Sequence, residues 1–124
     1  MKEIRTKRVY EPAGPDDGLR VLVDRLWPRG MTKDEVRAAM WLKDVAPSTM
    51  LRRWFGHDRS KWDTFRRRYL EELAACPAGL DVLREAAGRG RVTLLYAARD
   101  IECNHAAVLR EYLLSRLDDR DAGA

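Results

Sequence analysis

The sequence predicts an α/β domain built on a small, mainly parallel sheet of three to four strands flanked by helices. Three observations carry that expectation. Apolar segments that read as strands, Ile4 to Tyr10, Leu19 to Leu26 and Arg91 to Ala98, are separated by stretches with helical spacing. The last two are apolar on both sides, as strands covered on both faces of a parallel sheet are. The 124 residues, 45% of them hydrophobic, suffice for one core of ordinary domain size. Residues 1–117 are expected to form that single domain, and 118–124 a frayed tail.

Each element has its own signal. IRTKRVY, from Ile4 to Tyr10, alternates loosely and carries β-branched residues, so it reads as a strand. Glu11 to Gly18 is dense in Pro, Gly and Asp and reads as a loop. Leu19 to Leu26 is the second strand, with Val21 and Val23 on one face and Leu22 on the other; Pro28 and Gly30 turn the chain out of the sheet. Thr32 with Glu35 three residues on forms a capping box, and Met31 is placed to staple Val36. Trp41 to Val45 is a brief apolar run. Ser48 caps a helix from Thr49 to Phe55 that Gly56 stops. From Ser60, Trp62, Phe65, Tyr69 and Leu73 recur on one helical face, and Cys76-Pro77 closes that helix. A further helix is expected over about Leu80 to Ala87, and a last one over about Asn104 to Leu117. The connection between the first two strands is short for a parallel crossover, which normally takes about a dozen residues, so the first strand is left open to run antiparallel.

Composition excludes several classes. No apolar run approaches the about 18 residues of a membrane span, and the N-terminus lacks the apolar stretch of a secretory signal. Two cysteines, Cys76 and Cys103, make neither a disulfide framework nor a four-cysteine zinc site. A cytoplasmic location is expected. The net charge of +4 lies wholly in residues 1–60, which hold 13 basic and 9 acidic side chains. An anionic partner is therefore sought first in that half. Arginine outnumbers lysine 19 to 5; this suits bidentate contacts to phosphate or carboxylate, and equally reflects a compositional bias of the genome.

The segment Val23-Asp24-Arg25-Leu26-Trp27-Pro28-Arg29-Gly30 resembles the YeaO-like family, small bacterial proteins grouped as a domain of unknown function. The resemblance runs from about Val9 to Leu117. It continues through Trp41 to Ser48, Leu51 to Asp58, and Leu94 to Asp100 followed by Asn104-His105-Ala106. Longer relatives of the wider group carry a cysteine immediately before the histidine and another where this chain has Tyr96. Here Asn104 precedes His105, and Cys103 lies one position earlier, so that thiol does not carry over.

In open α/β sheets ligands collect outside the carboxyl ends of the strands. Two charged clusters fall there. Asp24, Arg25 and Arg29 follow the second strand, and Arg99, Asp100, Asn104 and His105 follow the last one. The set is suited to binding an anionic small molecule, phosphorylated or nucleotide-like, and to moving a proton. In that reading Arg25 and Arg29 hold the anion, with Arg99 and Asn104 beside them. His105 with Asp24 or Asp100 handles the proton, and Trp27 and Tyr96 shape the pocket. The competing readings are structural: Asp24 and Arg25 as a strand-end ion pair, His105 as a core or capping histidine, Asn104 as a helix cap. A metal held by His57, His105, Asp24 or Asp100 has no ligand spacing behind it. Cys103, near a helix start, is the one candidate reactive thiol. Arg66-Arg67-Arg68 admits a nucleic-acid partner, although Asp63 and Glu72 stand at salt-bridge spacing on the same helix. A non-catalytic interaction module, with Trp27 and Trp54 on an exposed apolar patch, is the third reading. Any cofactor and the oligomeric state stay unassigned.

Overall fold

The computed structural model describes residues 3–122, with side chains as far as Arg116. In chain order the elements are β1 (Ile4–Arg8), β2 (Leu19–Leu22), α1 (Lys33–Val36), β3 (Met40–Trp41), α2 (Thr49–Phe55), α3 (Trp62–Ala74), α4 (Pro77–Arg89), β4 (Val92–Tyr96) and α5 (His105–Ala122). Short 3-10 turns precede α2 at Lys43–Val45 and α3 at Arg59–Lys61. The side chains of the expected tail, 118–124, lie outside the described residues.

The four strands form one sheet in the order β1-β4-β2-β3, every neighbouring pair parallel. The first strand is thus parallel, and the antiparallel alternative is corrected by the topology. β4 is inserted between β1 and β2, so the loop after β1 crosses two strand spacings, about 10 Å, while returning along the strands. Ten residues reach about 33 Å, which is sufficient without a helix. Asp17 shapes the loop: its carboxylate accepts the Gly14 N–H at 3.0 Å and pairs with Arg20 at 2.5 Å and Lys7 at 3.1 Å. Gly18 then turns the chain with φ +65°, and a Cβ there would meet Arg91 O at 2.3 Å. Only glycine lets the loop pass that close to the start of β4.

Alternation along the strands divides the core in two. Ile4, Val21, Val23, Val92, Leu94 and Tyr96 face α2, α3, α4 and α5 in the larger core. There Phe55 stacks on Phe65 at 4.3 Å, and Trp62 and Tyr69 extend the aromatic row. Val9, Leu22 and Leu95 point the other way, onto Val36 of α1, Trp27, Met31 and Trp41. The capping box of α1 forms as its spacing predicts, Glu35 N–H to Thr32 Oγ1 at 3.1 Å and Thr32 N–H to Glu35 Oε1 at 2.9 Å.

Two boundaries shift for physical reasons. β2 ends at Leu22 rather than Leu26, although the Val23 N–H still reaches Leu95 O at 3.1 Å. Pro77 both stops α3 and opens α4, since a proline at the first helical position lacks a donor no helix there would use. The salt bridges expected along α3 are absent among the described residues: Arg66 pairs with Glu111 of α5, and Arg68 lies over the Trp54 ring.

Candidate functional site at the carboxyl edge

The chain leaves β2 toward α1 on one face of the sheet and leaves β4 toward α5 on the other. These strands are neighbours, so a switch point lies between their carboxyl ends, where open sheets form a ligand crevice. Asp24 fills it. Its Oδ2 accepts the Ala97 N–H at 2.9 Å, joining the two strand ends. His105, the first residue of α5, places Nε2 3.0 Å from Asp24 Oδ1 and 3.1 Å from Val23 O. Two acceptors face that nitrogen, so it carries the proton. Its N–H is directed at Val23 O, and Asp24 Oδ1 stays buried without a well-aligned hydrogen bond. The Tyr69 ring lies edge-on to the imidazole at 6.2 Å. The Trp41 indole N–H closes the arrangement on Asp24 O at 2.7 Å.

The structure distributes the remaining candidates around this plug. Arg25 turns toward the segment before α2, donating from Nε to Pro47 O and from Nη2 to Ala46 O, both at 3.2 Å. Trp27 is half-buried in the smaller core, its N–H on Met31 O at 2.7 Å and its ring edge-on to Trp41 at 5.3 Å. Asp100 receives Arg59 through two bonds of 2.7 Å and the amides of Glu102 and Cys103 at 3.0 Å. The Arg59 guanidinium, then the Cys103 amide, hold its carboxyl far below the usual carboxylate range. Asn104 is buried and caps α5, accepting the Ala107 N–H at 2.9 Å and donating to Asp100 O at 3.0 Å. Tyr96 is buried in the larger core, where burial raises its hydroxyl pKa. Arg29 and Arg99 are exposed, and among the described residues neither side chain makes a hydrogen bond or ion pair.

Two residues at this edge escape the sequence reading. The Arg8 guanidinium, at the end of β1, holds Ala98 O at 3.0 Å and lies 5.1 Å from the Tyr10 ring centre. The Tyr10 hydroxyl in turn donates to Arg29 O at 3.2 Å. The ends of β1, β4 and β2 are thereby tied together, with Arg8, Arg29 and Arg99 on their loops. Reading β1 as parallel supplies the missing signal, because the carboxyl-end rule then selects Arg8 and Tyr10 as it selects Asp24 and Arg99. Among the described residues no group of three His, Cys, Asp or Glu side chains is placed to hold a metal ion, and no helix is long and apolar enough to cross a membrane.

Known proteins resemble the chain over most of its length. An uncharacterised protein of Mycobacterium tuberculosis H37Rv is 50% identical over 113 residues, 91% of this chain and 95% of its own length. An uncharacterised protein of Mycobacterium bovis matches to the same extent. The uncharacterised protein YeaO of Escherichia coli K12 is 45% identical over 112 residues, 90% of this chain and 97% of its own. No solved structure matches. The profile described as the inactive DUF488-N3 subclade covers residues 3–124, and the chain belongs to that family, as a YeaO-like protein.

Proposed function

We propose that this protein is a non-catalytic binding domain that takes an anionic ligand, phosphorylated or nucleotide-like, on the arginines of its carboxyl edge. The observation that carries the reading is the contrast between two sets of side chains at that edge. Asp24, His105 and Asp100, the groups suited to moving a proton, are each engaged by backbone or ion-pair bonds, and Asn104 is committed to capping α5. Arg29 and Arg99 carry full charges with no protein partner among the described residues. Arg8, at the end of β1, is fixed by its bonds to the Ala97 and Ala98 carbonyls that follow β4. Guanidiniums left unpaired on adjacent loops bind phosphate or carboxylate oxygens bidentately. The family description as an inactive subclade supports binding without turnover. An extended nucleic-acid backbone is disfavoured, since Arg66 and Arg68 of the arginine run are engaged by Glu111 and Trp54.

Thermal melts of the wild type and an Arg29→Ala/Arg99→Ala variant, with phosphate, nucleotides and sugar phosphates, test this. A ligand at 100 times its Kd adds about 2.7 kcal/mol, a rise on the order of 10 °C for a domain of this size. The expected result is a rise in the wild type that the variant loses while its unliganded melting temperature is unchanged. No rise across the panel, or one that persists in the variant, overturns the proposal.

A further inference from the structure

A second concavity opens beside the carboxyl edge, between the Lys43–Val45 turn and α3. It is a cleft of about 290 Å³ lined by Arg25, Asp44, Val45, Ala46, Ser48, Tyr69, Glu72, Leu73 and Ala75. That volume suits a small polar molecule. Its walls are fixed from within. Tyr69 donates its hydroxyl to Val45 O at 2.5 Å, the Cys76 thiol lies 3.3 Å from Asp44 O, and Glu72 holds the Ser48 N–H and Oγ at 2.7 and 2.6 Å. A site so pinned loses little freedom on binding.

The cleft presents charges of both signs that, among the described residues, make no ion pair with one another. Arg25 is its one cation, and it spends Nε and Nη2 on backbone carbonyls, leaving Nη1 without a bond among the described residues. Asp44 and Glu72 are two carboxylates. Asp44 has no side-chain partner among the described residues, and Glu72 is met only by the neutral donors of Ser48. The two basic residues that sequence places beside them are held elsewhere: Lys43 lies 4.1 Å from the Trp41 ring centre, and Arg68 4.7 Å from that of Trp54. A free anion at Arg25 would face two carboxylates, and a free cation at the carboxylates would face the guanidinium. A molecule carrying both charges, on groups attached to one carbon, matches both ends.

We infer that this cleft is a binding site for a small zwitterion, an α-amino acid being the simplest, with its carboxylate on Arg25 and its ammonium between Asp44 and Glu72. The site is separate from the Arg29 and Arg99 face and does not depend on the function proposed for that face.

Calorimetric titration of the full chain with the common α-amino acids, acetate and methylamine tests the assignment. At least one amino acid is expected to bind saturably, with acetate and methylamine each at least about 10-fold weaker, since each retains one of the two charge-assisted contacts. Asp44→Asn removes a carboxylate. Ala75→Phe, at an exposed position, fills the cleft without touching its charges; both are expected to weaken binding at least about 10-fold at an unchanged melting temperature. The inference is overturned if no amino acid binds saturably, if methylamine or acetate binds as tightly as the amino acid, or if Ala75→Phe binds like the wild type.

Discussion

Individual residues at the carboxyl edge owe their places to bonds that a sequence does not display. Asp24 joins two strand ends, so Asp24→Ala leaves the Ala97 N–H without its acceptor and is predicted to cost about 2 kcal/mol in denaturant unfolding. Gly18 is the tightest point of the first loop. A side chain there requires both a left-handed backbone and a displaced Arg91 carbonyl, so Gly18→Ala is expected to cost at least about 2 kcal/mol, read as a melting temperature lowered by roughly 8 °C. A melt within a degree of the wild type would contradict that close approach. Asp17 gives the chain an acid sensitivity. Burial raises its carboxyl pKa, but the Gly14 amide with Lys7 and Arg20 outweighs burial and brings it from 3.8 to about 2. A folded pKa below the unfolded one stabilises fully above pH 4, and that stability is lost as pH falls from 4 toward 2. Asp17→Asn is expected to be less stable at neutral pH and to show a flatter decline over that window, measured by unfolding at successive pH values.

At the scale of elements, the helix caps and apolar faces were legible because they are local. Thr32 and Glu35 mark α1, Ser48 marks α2, and Phe65, Tyr69 and Leu73 mark the buried face of α3, each within a few residues of sequence. The two-residue β3 was not legible, since a strand that short has no period of its own and exists through pairing with β2. The direction of β1 was not legible either, because it depends on β4, more than eighty residues away, entering between β1 and β2. Of the site, sequence placed Asp24 and His105 at strand and helix ends, and it offered a helix cap as the competing reading of Asn104, which it otherwise set beside the anion. It did not show that Arg59 would occupy Asp100, or that Glu72 would serve Ser48. That last contact makes Ser48 a joint between α2 and α3: Ser48→Ala removes the cap on Leu51 and one of the two donors to Glu72, and is predicted to cost about 2 kcal/mol, whereas Ser48→Thr retains most of it.

Over the whole molecule, topology decides where a ligand meets the chain. The parallel sheet brings all strand ends to one edge, and the switch between β2 and β4 opens the crevice there. In this chain the crevice is closed by an aspartate and a histidine, and the positive charge is displaced to the loops around it. The proposed function therefore assigns binding and stability to different residues of one edge. The most direct measurement is the Kd for the best anionic ligand, set beside the melting temperature, in wild type, His105→Ala and Arg29→Ala/Arg99→Ala. His105→Ala is predicted to melt lower with a Kd within about twofold of the wild type, because His105 ties α5 to the strand end and lies outside the proposed arginine site. The double arginine variant is predicted to melt as the wild type does and to bind at least about 10-fold more weakly. The opposite pattern, affinity lost with His105 and kept without the two arginines, would contradict the account and return the site to the Asp24–His105 pair.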